Sequence, residues 1–599
     1  MKHFLQVFVL LLCFSGSAYA GYLEILYVNA NIGAAAGGHV GLKLDDDVFH
    51  YQFYPDERFL LVRESWEPFK LVYNRLRNRT IYAAGWSVPD DVSARIRSHF
   101  TAALASQNND FSRYRFLLEQ KQMLAGLDSG LLEVSVRGLG FFEVAEKTSA
   151  PAKILRSRIV AALGQDYLSE KREAIAAGLQ NVLATLHEGR HEAGKLIEIV
   201  RRISDLRKKQ AAYDSLDGGA GLLSSARVVG MDEKLSQQVL DNLSHALNRR
   251  FQVLVRLLNS ERSDAGEAIL VEAARCLALI ESLRSKTLIT LDPYSEDAVE
   301  KPFDPENPEM QHYLHTLSGL LKRRCLLLLD SGANGTGAAR DYHYLQLENV
   351  NGRLAEIGRA VSEGQGIRLS PEMMMPGRKR TLRTGVPPLE KNALDSALFS
   401  IDQDLSALEQ NLAEKYRYAL IARNCVTELL KNLNSSFSNK EAAEKFLGGW
   451  IDPIKDRVAV PHDFFYKASA SYRIEQVTRY PSRRLMQVEA MQAKSSAAAV
   501  WLREGNTVST TLYKRRIEDS PFLFFTDDVG WPRPILGLAN LLWSAGHGLA
   551  GIVRLPVEGM DPVRQAARGM FYSLPEFVFF NIRKGTYLYD TVYEGGHEL

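Results

Sequence analysis

The chain has 599 residues, of which 46% are hydrophobic, and it is long enough to bury several cores. Its 73 Lys and Arg residues nearly balance its 71 Asp and Glu residues, which leaves a formal net charge of +2. Because this balance produces no global basic field, we expect no nucleic-acid partner, and we interpret short basic runs as solvated patches.

Residues 1–20 have the pattern of a secretory signal peptide. Lys2 and His3 precede an apolar core at residues 4–14, and a small-residue cleavage site ends at Ala20. Cleavage there would also remove Cys13. The alternative is an uncleaved membrane anchor, although the apolar run is shorter than a membrane span requires. We therefore expect an exported protein of the periplasm or cell envelope.

Strand-rich sequence follows, from residue 21 to about 88, and it contains two histidines in a predicted β-hairpin, GGHVGLKLDDDVFHYQF. The apolar residues that alternate on its two arms are Val40, Leu42, Leu44, Phe49, Tyr51 and Phe53. A period of two then puts His39 and His50 together on the opposite face. A turn at Asp45-Asp46 would make the histidines diagonal neighbours, roughly 7–8 Å apart at Cα. A turn one residue later would separate them by about 13 Å, and the sequence leaves both registers open.

Long amphipathic helices are predicted from residue 151 to 405, and they indicate an all-α insertion. The insertion could cap an active site, bind an acceptor or serve as a scaffold. Cys276 and Cys325 both lie in it and could form a disulfide with each other, which would leave Cys425 as the free thiol of the exported chain.

The same insertion contains a rival motif, His187-Glu188-Gly189-Arg190-His191, which fits the zinc-protease pattern H-E-x-x-H. On one helix its histidines would share a face one turn apart. However, Ile197 occupies the third ligand position of the longer pattern, and Arg190 and Lys195 indicate a solvated helix face. We therefore predict no metal site and no cofactor.

A second reactive motif, RNCVTELL, lies about two thirds of the way along the chain. Asn424 is a good helix N-cap, so that Cys425 would be the first residue of the helix. A thiol at the positive end of a helix and near an imidazole is expected to have a lowered pKa and to act as a nucleophile. His462, at a later loop-to-helix junction, could contribute to the site or could be a cap or surface group.

The C-terminal region, residues 491–599, has strand-like text in FLFF and FVFFNI. Between them, residues 534–553 lack acidic residues, Lys and Arg, but their glycines and His547 make a poor membrane span. We expect a helical hairpin that is either buried or in contact with a membrane surface.

A histidine strand, a second histidine and an Asn-Cys dipeptide that opens a later helix resemble the circularly permuted NlpC/P60 branch of the papain-like superfamily, which includes lecithin:retinol acyltransferase. The resemblance rests on His39, His50 and Asn424-Cys425. It implies an α+β fold: a permuted papain-like catalytic core at residues 21–150 and 406–490, the all-α insertion, and a C-terminal α/β extension.

Within that branch, the chain is most similar to the bacterial Lnb N-terminal periplasmic-domain family. The resemblance implies a thiol acyltransferase or hydrolase that acts on phospholipid or lipoprotein acyl groups, with Cys425 as nucleophile, His39 as base and His50 as the group that orients it. Two alternatives stay open, a peptidoglycan amidase or endopeptidase and a non-catalytic envelope scaffold. The sequence does not determine the oligomeric state.

Overall fold

The computed structural model describes residues 21–29, 31–32, 38–54, 57–143, 148–187, 191–231, 233–262, 264–294, 298, 300–301, 308–331, 337–364, 366–368, 376–386, 389 and 391–585. The predicted signal peptide at residues 1–20 lies outside them. The fold is α+β, as the sequence predicts.

The strands in chain order are β1 (Gly21–Val28), β2 (Asn31–Ile32), β3 (His39–Leu44), β4 (Asp47–Phe53), β5 (Phe59–Ser65), β6 (Ile81–Val88), β7 (Leu131–Arg137), β8 (Arg227–Val228), β9 (Thr290–Leu291), β10 (Glu300–Lys301), β11 (Ile367–Arg368), β12 (Lys379–Gly385), β13 (Gln476–Tyr480) and β14 (Ile582–Arg583).

The α-helices are α1 (Trp66–Lys70), α2 (Asp90–Leu127), α3 (Ala150–Leu163), α4 (Tyr167–His187), α5 (Ala193–Asp217), α6 (Gln237–Leu258), α7 (Ala265–Ser285), α8 (Pro308–Ser331), α9 (Gly337–Glu363), α10 (Lys391–Tyr416), α11 (Cys425–Ser435), α12 (Lys440–Leu447), α13 (Pro461–Ser471), α14 (Arg483–Gln492), α15 (Ala497–Glu504), α16 (Arg533–Glu558) and α17 (Asp561–Ser573). A π-helical turn, Leu71–Leu76, continues α1.

The chain divides into two compact units, one formed by residues 1–109 and 412–599 and the other by residues 110–411. Both predicted reactive motifs fall in the first unit. The domain boundaries proposed from the sequence, at residues 150, 405 and 490, stay predictions.

The first unit is built on a six-stranded antiparallel sheet with the order β13-β6-β1-β3-β4-β5. One face packs against α11, α12, α13 and the start of α2, and the apolar side chains of the hairpin lie in this core. The opposite face is covered by α1 and the π-helical turn through Trp66, Phe69 and Tyr73. The sequence predicted one buried face for the hairpin, whereas both faces are buried. The histidine face is therefore an interior surface.

The second unit is mainly helical, and α4 packs on α5, α6 on α7, and α8 on α9. The helical segments predicted at α4 to α7 are confirmed. Cys276 and Cys325 are both buried, free thiols, which makes the expected disulfide between them wrong. Each is enclosed by its own helix packing and has no need of a covalent link to be held in place.

The C-terminal part of the first unit is fastened to the sheet by buried polar contacts. The carboxylate of Asp528 accepts hydrogen bonds from Asn29 Nδ2 at 2.9 Å and from Thr80 Oγ1 at 2.6 Å. Arg533 Nη2 donates to Asn29 Oδ1 at 3.2 Å. These contacts join the start of α16 to the end of β1, close to the hairpin that contains the histidines.

Two expectations for this C-terminal part are wrong. Residues 534–553 form one continuous helix, α16, and the partner that packs on it is the separate helix α17. The FLFF segment at residues 522–525 forms only an isolated bridge from Phe524 to Asn506, and FVFFNI begins in the 3₁₀ turn Leu574–Val578 and reaches a strand, β14, only at its last residue, Ile582. Aromatic, apolar text here reflects packing against helices, which sequence alone does not separate from strand pairing.

Candidate active site

The register of the β3–β4 hairpin brings the two histidines together. Gly41 pairs with His50 across a turn at Asp45-Asp46, which is the first of the two predicted registers. His39 and His50 are therefore diagonal neighbours, and their ring nitrogens, His39 Nε2 and His50 Nδ1, are 2.9 Å apart. The first register is therefore the one adopted, and the two imidazoles are in direct contact.

A third residue, Glu64, extends this contact into a hydrogen-bonded row of three side chains, His39, His50 and Glu64, which we call the file. It lies on β5, where Val62 pairs with His50, so that Glu64 is the diagonal neighbour of His50 on the same face. Its Oε1 is 2.8 Å from His50 Nε2. Glu64 and His50 are 1% and 0% exposed, so water does not compete for this contact.

The file fixes the proton positions on both imidazoles. A carboxylate only accepts hydrogen bonds, so Glu64 requires His50 Nε2 to donate, which leaves His50 Nδ1 as an acceptor. His39 Nε2 must then donate to His50. The other ring nitrogen of His39, Nδ1, consequently holds a lone pair and can take a proton from a thiol.

Cys425 is the first residue of α11, and Asn424 is its N-cap, as predicted. The Asn424 side chain accepts hydrogen bonds from the amides of Val426 and Thr427, both at 3.0 Å, while Thr427 Oγ1 accepts from the amide of Asn424. Asn424 Nδ2 is also used, since it donates to Ala459 O at 2.8 Å. This capping box holds the start of the helix, and the thiol with it, in one place.

The thiol lies directly beside the histidine strand. Backbone amides of Val40, Val426 and Cys425 lie close enough to the sulfur to lower its pKa, and the Val40 amide belongs to the peptide bond that joins His39 to Val40. Cys425 thus lies beside the backbone of His39, the residue at which the file of His39, His50 and Glu64 ends. A disulfide at Cys425 would favour the scaffold alternative, and Cys425 is a free thiol.

The electrostatics differ from the prediction. Burial raises the pKa of Cys425 to about 11, and the three nearby amides offset only part of that rise. Burial, with contributions from His50, Arg79 and Arg77, holds the pKa of His39 well below 6.5. The expected lowered thiol pKa is therefore wrong for the resting site, because desolvation outweighs the helix N-terminus. At neutral pH the pair rests as a neutral thiol beside a neutral imidazole.

Aromatic and cationic side chains enclose the histidines. The His39 ring stacks on Tyr73 with centroids 5.4 Å apart, and Arg77 and Arg79 lie over the Tyr73 ring at 5.2 and 5.7 Å. Burial raises the pKa of Tyr418, and the nearby Cys425 adds to the rise.

His462 occupies a neighbouring position outside the file. Its ring stacks on Phe579 with centroids 5.2 Å apart and meets the edge of Tyr27 at 6.0 Å, and its Nδ1 is 3.2 Å from Asp463 Oδ1. Pro461, which precedes it, packs near Gly38. His462 is thus a packing residue beside the site.

The rival zinc motif does not form the arrangement that its pattern requires. Helix α4 ends at His187, and α5 begins only at Ala193, so the motif is not one continuous helix. Glu188, Gly189 and Arg190 lie outside the described residues. Among the residues that the structure describes, no cluster of His, Cys, Asp and Glu is arranged to hold a metal ion.

Sequence reasoning missed Glu64, although the sequence contains a signal for it. The apolar run FLLV at residues 59–62 indicates a strand, and β5 continues from it through Arg63, Glu64 and Ser65. Val62 pairs with His50, and Glu64 comes two residues later on the same strand. Because side chains alternate between the two faces of a sheet, Glu64 lies on the same face as His50. What the sequence could not reveal was the pairing of β4 with β5.

Comparison of the chain with protein-family models, with curated proteins and with solved structures finds no match.

Proposed function

We propose that the protein is a cysteine-dependent acyltransferase or hydrolase that works through an acyl-thioenzyme on Cys425. The observation that carries the proposal is the buried hydrogen-bonded file His39–His50–Glu64, which ends beside a thiol at a helix N-terminus. A file in which an acceptor-only carboxylate sets two successive tautomers is what a general base requires.

In the first half-reaction, Cys425 Sγ attacks the carbonyl carbon of an ester, and its proton passes to His39 Nδ1. The tetrahedral intermediate then collapses, the C–O bond breaks, and His39 returns the proton to the leaving alcohol. In the second half, water or an amine gives a proton to His39 and attacks the thioester carbonyl. The thiolate leaves and recovers the proton from His39.

Glu64 and His50 act as positioning residues in this scheme. They hold His39 in the tautomer that accepts the thiol proton, and the carboxylate stabilises the imidazolium that forms. Because the resting thiol is neutral, proton transfer to His39 accompanies attack. The Cys425 amide at the helix start is the candidate oxyanion donor, since the Val426 and Thr427 amides are engaged by the cap.

The order of the elements, histidine strand first and cysteine helix later, supports a permuted papain-like core. The secretory pattern at residues 1–20 supports a periplasmic or envelope location. Together with the apolar C-terminal helix, these features favour an acyl donor drawn from phospholipid or lipoprotein.

A chromogenic ester tests the chemistry apart from the lipid. The mature protein is mixed with p-nitrophenyl octanoate, release of nitrophenol is followed in stopped flow, and intact mass is read on the same sample. We expect a burst of nitrophenol and one octanoyl group on the wild type, none on Cys425→Ala, and a greatly slowed burst for His39→Ala. Equal bursts for all three proteins would refute the proposal.

A further inference from the structure

The polarity of helix α16 is reversed relative to a helix of a soluble protein. Its buried residues are small or polar and recur at helical spacing: Arg533, Gly537, Asn540, Ser544, Gly548 and Gly551. At about 100° per residue they fall within an arc of about 80°. Its exposed large side chains lie on the opposite side: Ile535, Leu538, Leu542, Trp543, Leu549, Ile552 and Val553.

The inward face is held by polar contacts. Asn540 Oδ1 accepts from the amides of Leu523 and Phe524 at 2.9 and 2.7 Å, and Ser544 Oγ donates to Pro521 O at 2.6 Å. The buried carboxylate of Glu576 contacts Lys584 Nζ at 2.5 Å. The polar groups of this face are hydrogen-bonded within the protein. Rotating the helix to bury its apolar side would therefore leave these polar groups without their partners. The outward apolar face is thus a fixed property of the fold.

The exposed apolar surface extends beyond α16. Phe571 on α17 is 57% exposed, and Leu574 and Val578 in the 3₁₀ turn are 50% and 58% exposed. Trp531, just before α16, is 79% exposed. We call the outward face of α16 with these four residues the apolar platform. Both α17 and the 3₁₀ turn pack on α16, and clustered large apolar side chains that are exposed in this way mark an interaction surface.

We propose that the apolar platform inserts into a lipid bilayer and lies flat in one leaflet. Every exposed residue between Pro534 and Val553 is apolar or glycine, which suits hydrocarbon better than it suits a protein partner with polar groups to pair. Exposed charges of both signs border this face: Arg554 pairs with Glu558, Arg564 pairs with Asp561, and Arg515 donates a hydrogen bond to Gln565 on α17. Such a border complements zwitterionic headgroups.

The surroundings of α16 favour a helix that lies in the plane of the membrane over a helix that crosses it. The helix has 26 residues and is long enough to cross a bilayer, and it passes the criteria of length and apolar composition for a span. However, the loop that contains exposed Lys514 and Arg515 runs beside the middle of the helix, where Arg515 interacts electrostatically with His547. If α16 crossed the bilayer, this charged loop would have to enter the hydrocarbon core. If α16 lies in the membrane plane, the loop stays among the lipid headgroups.

The platform is continuous with the candidate active site. Phe579, which follows the 3₁₀ turn, stacks on His462, and His462 meets Tyr27 on β1. Tyr27 and Pro461 both pack near Gly38, the residue before His39. Insertion of the platform would therefore bring the site to the bilayer surface. This assignment of a bilayer lipid as acyl donor rests on the proposed function, whereas insertion itself does not require catalysis.

Vesicle flotation of the mature Cys425→Ala protein tests insertion without turnover. We expect it to rise with phosphatidylcholine vesicles, and we expect Leu542→Asp/Leu549→Asp to reduce the partition coefficient at least tenfold. Ile454→Asp, at an equally exposed apolar residue outside the platform, is the matched control and should float unchanged. Thermal melts verify that all variants fold.

Three outcomes would overturn the proposal: no flotation of the parent protein, equal loss for the Ile454→Asp control, or a dimer in light scattering that Leu542→Asp/Leu549→Asp converts to monomer. The last result would assign the platform to a second copy of the chain. Failure of flotation with an intact p-nitrophenyl octanoate burst would remove only the membrane inference. Flotation without any burst would remove only the proposed chemistry.

Discussion

Replacing Glu64 by Gln should uncouple the histidine file while preserving its shape. The amide can donate as well as accept, so it no longer forces His50 Nε2 to donate, and the tautomer of His39 is no longer fixed. The change also removes the negative charge that stabilises the imidazolium of the transition state. Both effects act on the acylation step and leave substrate binding intact.

The contact that is lost, His50 Nε2 to Glu64 Oε1 at 2.8 Å, is fully buried, so its effect is not damped by solvent. General-base catalysis contributes about 10²–10⁴ in rate, and a positioning residue that supports it accounts for about 10²-fold. A 10²-fold loss corresponds to about 2.7 kcal/mol in the activation free energy.

Stopped-flow acylation with p-nitrophenyl octanoate measures this directly. We expect the acylation rate constant of Glu64→Gln to fall about 10²-fold with little change in the concentration for half-saturation, and Glu64→Asp to recover part of the loss. An unchanged rate constant would refute the role of Glu64. A loss that appears equally in Glu64→Asp and tracks a lower melting temperature would show that the residue is only structural.

Three further predictions concern the thiol and its cap. The rate at which iodoacetamide alkylates Cys425 can be followed by peptide mass spectrometry. This rate should rise roughly tenfold per pH unit from pH 7 toward the raised pKa of about 11, because only the thiolate reacts. A rate that already levels off at pH 8 would contradict the raised pKa. His39→Ala should abolish the acylation burst, whereas His462→Ala should leave it within a few-fold of wild type; comparable losses in both would place His462 in the chemistry. Asn424→Ala should lower the free energy of unfolding in urea by about 1–2 kcal/mol and also slow acylation, whereas Asn439→Ala, which removes the cap of α12, should cost about as much stability with no effect on acylation.

Local patterns were enough to predict the hairpin and the helix cap. Alternation along β3 and β4 put His39 and His50 on one face, and the Asn-Cys dipeptide before an amphipathic run placed Cys425 at a helix start. These are short-range consequences of backbone geometry, which the chain encodes within about a dozen residues. The same alternation leaves two possible registers for the hairpin, with the turn at Asp45-Asp46 or one residue later.

The features that the sequence did not predict depend on contacts between residues far apart in the chain. The pKa of Cys425 is set by how completely neighbouring elements exclude water, which no local pattern reports. Glu64 was missed because its role requires β5 to pair with β4 in one register. The reversed polarity of α16 was not resolved either, since an apolar helix with scattered glycines reads alike whether its apolar side faces inward or outward.

Intact mass spectrometry of the mature protein after incubation with phosphatidylcholine vesicles tests the central claim most directly. The account predicts one added acyl chain that is released by hydroxylamine, is absent from Cys425→Ala, and accumulates far more slowly in His39→Ala. No adduct on the wild type, or an adduct that persists in Cys425→Ala, would contradict an acyl-thioenzyme at Cys425.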